Sequence, residues 1–126
     1  ILKQFSFYTI LDILHLNCDA TQGENIADLG GVIMGYEAFK KTDQYKNNVV
    51  IGGLKPDQRY FLAYAYAWMV DTKPESIAMQ IRVDEHAPEQ YRVNGPLSNV
   101  PDFYKAFGIK PGKPMYAADS LRVAIW

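Results

Sequence analysis

The sequence holds a single cysteine, two histidines and no excess of charge of either sign. Cys18 cannot form an internal disulfide. Together with His15 and His86 it leaves few nitrogen or sulfur ligands for a metal. Lys and Arg number 13 against 14 Asp and Glu, a formal net charge of -1. A nucleic-acid binder would show a basic excess, and so would a protein held to membranes by a polybasic surface. The longest nearly apolar run, residues 60–70, falls well short of the roughly twenty residues a spanning helix needs. It reads as a core helix at most. Internal repeats and low-complexity tracts are absent. The chain starts at Ile1 and shows no charged-then-apolar leader with a small-residue cleavage site. It reads as a processed product or as a fragment of a longer protein, and the motifs below favour the fragment.

What is present is an ordinary globular composition, with 48% apolar and 21% charged residues; disorder would need fewer apolar residues and more net charge. The length of 126 residues gives room for one compact domain. Segments of helical period alternate with glycine and proline, so the expected class is mainly α. Residues 1–16 carry Phe5, Phe7, Ile10, Leu11, Ile13 and Leu14 at a spacing that fits a helix at the start and turns ambiguous towards Leu14 and Leu16. The polar stretch 17–23 reads as a loop. A helix is expected over about 24–41, with Ile26, Leu29, Ile33 and Tyr36 as its apolar stripe and Lys40 and Lys41 in its last turn.

Asn47, Asn48, Gly52 and Gly53 mark a loop. Pro56 opens a second helix to about residue 71, with Phe61, Leu62, Ala65, Trp68 and Met69 on its face. A third starts near Pro74, where proline and Glu75 both suit a first turn; Ile77, Ala78 and Ile81 line its buried side. Pro88, Gly95 and Pro96 make residues 84–99 read as irregular chain. A short helix over 101–107 ends at Gly108 as a glycine cap does. Pro111, Gly112 and Pro114 give an extended tail. No clear strand alternation is present, though residues 91–93 suit a brief pairing.

The informative string is Gly23-Glu24-Asn25-Ile26-Ala27-Asp28-Leu29-Gly30-Gly31. Glu24 and Asp28 lie one helical turn apart and share a face. Two carboxylates at that spacing repel unless a cation lies near them. Ala27, Gly31 and Gly35 fall on the same face. A glycine inside a helix costs roughly 1 kcal/mol relative to alanine, and here it would let another helix approach beside the carboxylates. On spacing alone, the two carboxylates are a solvated helix N-terminus complementing the dipole more readily than a metal site.

The string Glu-Asn-Ile-Ala-Asp-x-Gly-Gly resembles the third-ligand motif of the neprilysin (endothelin-converting-enzyme-like) family of zinc metallopeptidases. The resemblance implies that Glu24 is a zinc ligand, beside two histidines from a His-Glu-x-x-His helix, and that Asp28 holds one of those histidines. Both roles suit carboxylates. Further on, 84–95 (Asp-Glu-His-Ala-Pro-Glu-Gln-Tyr-Arg-Val-Asn-Gly) is similar to the family's downstream segment. It implies that His86 stabilises the oxyanion of the tetrahedral intermediate and that Arg92 binds a substrate backbone carbonyl. Ala87 departs from the family's usual serine. Taken singly, His86 is more often a packed or surface histidine and Arg92 a surface ion pair; their spacing and order argue otherwise. Ala67 and Trp68 match a pair that helps line the pocket for the residue after the scissile bond, although Trp68 alone would be read as core. The ending Arg-Val-Ala-Ile-Trp (122–126) is similar to the family's C-terminus, without the cysteine that mammalian members carry there, which points to a bacterial-type member.

The resemblance covers about residues 14–126. It implies the C-terminal helical portion of a thermolysin-like zinc peptidase catalytic domain, extracytoplasmic in location, acting on peptide substrates through a metal-activated water. No His-Glu-x-x-His occurs, so this chain supplies one ligand and no general base. It is expected to be inactive alone and not to hold zinc, its partner being the remainder of its own catalytic domain. The roles also imply geometry: residues 84–95 run back across the N-terminal end of the first long helix, with His86 and Arg92 on the side of Glu24 and Asp28. The rival is a stand-alone helical binding module derived from the same family. An upstream reading frame with or without His-Glu-x-x-His separates the two. A plain structural helical domain leaves the register of Glu24, Asp28, His86 and Arg92 unexplained.

Overall fold

A computed structural model describes residues 1–6, 8–11 and 14–125. The expectations for Phe7, Ile13 and Trp126 lie outside these residues. In chain order come α1 (Leu2–Phe5), β1 (Thr9–Ile10), β2 (Leu14–His15), α2 (Cys18–Phe39), α3 (Asp43–Lys46), α4 (Pro56–Ala67), α5 (Pro74–Val83), α6 (Glu89–Leu97) and α7 (Pro101–Phe107). A single 3-10 turn, Asp119–Leu121, interrupts the extended tail. The class is mainly α, as the periodicity indicates. Proline opens α4, α5 and α7, where its missing N–H would be unpaired in any case. Gly108 closes α7 in the left-handed conformation, φ 63°.

Three expectations are corrected. The first stretch forms a single helical turn and then a small antiparallel hairpin, Thr9 opposite His15 and Ile10 opposite Leu14. Its apolar residues feed a core through both elements, which a helical count alone cannot distinguish. Residues 17–23 are not a loop: Asn17 caps α2, its side chain accepting from the Ala20 N–H. This polar stretch is used inside the helix: Thr21 is buried and its hydroxyl accepts from the Asn25 amide one turn on at 3.0 Å. Residues 84–88 are irregular as expected, but residues 89–97 are not: α6 starts after Pro88 and runs through Gly95 and Pro96. Residues 91–93 are therefore helical rather than a pairing strand. Smaller shifts follow from helix ends. Helix α2 stops at Phe39, so Lys40 and Lys41 lie just beyond its last turn. Helix α4 stops at Ala67, so Met69 lies beyond it and is exposed, and Leu62 within it also faces solvent.

Helix α2 is the axis, packed against α1, α4 and α6. Its buried face (Leu29, Val32, Tyr36) meets Phe61 of α4, then Leu97, Val100, Phe103 and Tyr104, in the main core. A second core joins Phe5, Ile10, Leu16 and Ala87. Ala87 is thus a packing residue. Pro88 beside it is also buried. Burying this pair pins the chain between α5 and α6 and leaves His86 at the surface end of α2. The far end of α6 is tied by polar groups. The Asn99 amide donates to Gly95 O and to Gln4 Oε1, and its oxygen accepts from the Val123 N–H at 2.7 Å. These bonds bind α1 and the tail to α6.

Candidate active site

Glu24 and Asp28 lie in the second and third turns of α2, on the edge facing α6. Arg92, in the first turn of α6, meets them there. Its Nε donates to Asp28 Oδ2 at 2.7 Å and its Nη2 to Asp28 Oδ1 at 2.8 Å. Nη2 lies 3.7 Å from Glu24 Oε2. The Asp28 pair is two-pronged and mostly buried, Arg92 being 15% and Asp28 10% exposed. A charged hydrogen bond in such a place is worth about 1.5–3 kcal/mol, whereas the longer, more exposed Glu24 contact falls in the surface class of about 0–1 kcal/mol. Asp28 therefore sets the guanidinium plane. The same bond is the largest cause raising the Arg92 pKa. The guanidinium also stacks over the Trp68 ring, 4.1 Å from its centroid. Among the described residues its Nη1 donates no hydrogen bond, so the fixed guanidinium keeps a donor to spare.

His86 completes the cluster. Its Nε2 lies 3.2 Å from Glu24 Oε2 and its Nδ1 2.8 Å from Asp84 Oδ1. Asp84 also accepts from the His86 backbone N–H at 2.8 Å. That N–H, then the ring, holds the Asp84 carboxyl below the usual carboxylate range. Both ring nitrogens face carboxylates, so a ring protonated at both donates at both ends. Glu24 and His86 are each 37% exposed, open enough to meet a ligand.

All four residues singled out in the sequence as metal or catalytic residues therefore meet at one place, and residues 84–95 do cross the N-terminal half of α2. Asp28 has both oxygens engaged by Arg92. Trp68 borders a cavity of about 370 Å³ whose walls include Ala65, Ile77, Tyr91 and Val93. Ala67 is exposed outside those walls. His15 sits exposed on β2. Glycine behaves differently at two positions. An added Cβ at Gly31 meets nothing within 4 Å, whereas at Gly35 it would lie 2.5 Å from the Tyr60 hydroxyl. The close approach read from these glycines is made by a tyrosine at Gly35 and, among the described residues, by nothing at Gly31.

Sequence reasoning passed over two residues. Asp84 is legible in hindsight as an Asp two residues before a histidine, the spacing of a local side-chain to backbone bond. Tyr64 lies one turn before Trp68 on α4, and its hydroxyl donates to the Arg92 carbonyl at 2.9 Å.

The family model for peptidase family M13 matches residues 1–123. The chain belongs to that family. Neprilysin-2 of Caenorhabditis elegans is 39% identical over 125 residues, covering 96% of this chain and 17% of the relative. The neutral endopeptidase of Lactobacillus helveticus is 38% identical over 111 residues, covering 88% of this chain and 16% of the relative. Among solved structures, the Mycobacterium tuberculosis zinc metalloprotease Zmp1 in complex with inhibitor superposes with a TM-score of 0.86 at 30% identity. That match covers 99% of this chain and 20% of that one. This M13 chain thus spans a fifth or less of the proteins it resembles, and its helical fold is that of the corresponding portion of a zinc metalloprotease.

Proposed function

We propose that this M13 chain is the C-terminal part of the catalytic domain of a zinc endopeptidase, completed by sequence outside it. The observation that carries the reading is the convergence of Glu24 and Asp28 on α2 with His86 and Arg92, which are more than fifty positions away in sequence. Coincidence of family-like motifs does not require their side chains to meet; a shared site does. The share of each relative covered, and the single ligand this chain offers, support a domain completed elsewhere.

Glu24 fits a zinc ligand by its chemistry: an anionic oxygen donor, a third exposed, at the mouth of the cluster. Among the described residues no group of three His, Cys, Asp or Glu side chains is placed to hold a metal ion, so the other ligands must come from outside. When bound, zinc supplies Lewis acidity and a deprotonated water at neutral pH. The chain's own residues do the rest. Arg92 offers Nη1 to a peptide carbonyl and orients the substrate backbone. His86, braced by Asp84, donates to the carbonyl oxygen as negative charge develops there, which favours the transition state over the bound substrate. Trp68 and its cavity take an apolar side chain of the substrate. Asp28 fixes Arg92 and, in the complete domain, braces a ligand histidine. Peptides are the substrates and the rest of the domain the partner. The missing cysteine near the C-terminus supports a bacterial-type member, and the resemblance to the neprilysin family supports an extracytoplasmic location.

The test compares the 126-residue chain with the product of the complete reading frame. Expected is stoichiometric, tight zinc and peptide hydrolysis in the complete product, and neither in the chain by equilibrium dialysis and a fluorogenic peptide assay. Tight stoichiometric zinc on the chain alone overturns the ligand count. A reading frame without His-Glu-x-x-His favours the stand-alone binding module.

A further inference from the structure

Helix α6 contains a proline at residue 96, one full turn after Arg92. In an α-helix the carbonyl of residue 92 would accept from the N–H of residue 96. Proline has no N–H, so α6 leaves the Arg92 carbonyl without its helical donor. An orphaned carbonyl on a buried helix is costly unless another donor reaches it. Tyr64 reaches it from α4, its hydroxyl donating at 2.9 Å. Trp68, four residues later at the C-cap of α4, lies under the guanidinium of the same residue. Helix α4 thus grips Arg92 twice, once by its backbone and once by its side chain, while Asp28 fixes the plane from α2.

We infer that Tyr64 is a positioning residue for Arg92, made possible by Pro96. The geometry assigns it the backbone end of the clamp whose side-chain end is Trp68. This inference rests on the proposed role of Arg92 in holding the substrate backbone. The hydroxyl is suited to the task at all working pH values: burial first, then the nearby Asp28 charge, raises its pKa well above the ordinary phenol. It stays protonated and remains a donor. Without it, the Arg92 carbonyl loses its partner, the first turn of α6 loosens, and the guanidinium is presented over a wider range of positions.

The test uses the enzyme that carries this sequence, with peptide hydrolysis as readout. Tyr64→Phe deletes one oxygen and keeps the ring in the core. It is expected to raise KM roughly three- to tenfold, the range set by one neutral hydrogen bond, with kcat within about twofold. The increase should vanish in the Arg92→Ala background, because positioning matters only where there is a guanidinium to position. A second variant gives rescue: Pro96→Ala restores a helical N–H opposite the Arg92 carbonyl, so Tyr64→Phe with Pro96→Ala should recover most of the lost KM. If Arg92→Ala raises KM but Tyr64→Phe does not, the positioning role is wrong and the Arg92 role stands. If Tyr64→Phe raises KM equally with and without Arg92, or the proline replacement gives no recovery, the tyrosine is structural only. If Arg92→Ala leaves KM unchanged, the role of Arg92 fails and the inference falls with it.

Discussion

Arg92 and Asp28 form a two-pronged ion pair, 2.7 and 2.8 Å, between helices whose sequences are far apart. The pair joins the carboxylate motif to the histidine-arginine segment and fixes the one cation of the cluster. Its strength is measurable in this chain. Asp28→Asn and Arg92→Met should each destabilise it by about 1.5–3 kcal/mol. The double variant should cost clearly less than the sum, with a coupling of at least about 1 kcal/mol. Urea unfolding at constant m-value reads this. Additive losses would mean the two side chains act independently.

Zinc loading separates the two carboxylates. In the enzyme that carries this sequence, Glu24→Ala or Glu24→Gln should lose the metal. Asp28→Ala should weaken zinc affinity or activity by roughly 10–100-fold, the usual size for a group that orients a ligand. Metal analysis after dialysis decides; full zinc occupancy in Glu24→Ala removes Glu24 from the ligand set.

Kinetics separate His86 from Arg92. Loss of the His86 ring should lower kcat by about 10²–10³-fold with little change in KM, as for other donors to a developing oxyanion. Arg92→Ala should act largely on KM, because the backbone carbonyl is held in ground and transition states alike. Arg92→Lys should not rescue, since an ammonium can neither fork onto Asp28 nor stack on Trp68 as a plane. Equal effects of both residues on kcat would contradict the assignment.

Two glycines on the cluster's helices should respond with opposite sign. Gly31→Ala adds a methyl in open space at an exposed position of α2 and should stabilise the chain by roughly 0.5–1 kcal/mol. Gly95→Ala would drive its methyl into the buried Phe5 ring and should cost about 1–3 kcal/mol. Thermal melts of the two variants test this, and a stabilising Gly95→Ala would contradict the packing of α1 on α6.

Asp84 should titrate below the ordinary carboxylate value of about 3.9. Because its folded pKa is lowered, its contribution to stability is complete above the unfolded value. It is lost as pH falls through the lowered folded one. The His86 backbone N–H is the larger cause and the ring the smaller. His86→Ala should therefore raise the Asp84 pKa only part of the way back, as followed by NMR titration of the side-chain carboxyl. A complete return would show that the ring dominates.

Local chemistry made much of the fold legible. The three helix-opening prolines, the Gly108 cap and the Leu29–Tyr36 stripe act within a turn or two, so sequence spacing suffices. Where it failed, a residue's partner lay elsewhere in the chain. Thr21 looked like loop because nothing local says that the packing around α2 buries it. Pro96 looked like a breaker because nothing local says that Tyr64, from another helix, takes over the carbonyl its ring leaves open.

By itself, then, the sequence determined the helical class, the helices α4, α5 and α7, and the identity of Glu24, Asp28, His86 and Arg92 as a constellation that resembles M13 peptidases. Tertiary structure decided that Asp28 spends both oxygens on Arg92, that Asp84 holds His86, that Trp68 rather than Ala67 borders the cavity, and that α6 continues through its proline. The reason is range. Capping, helix period and dipole complementarity are set by neighbours within about four residues. Ion pairs, stacking and replacement donors depend on which buried surfaces meet, and here that is fixed by Ala87 and Pro88 docking against one core and by Leu97 and Val100 entering the other.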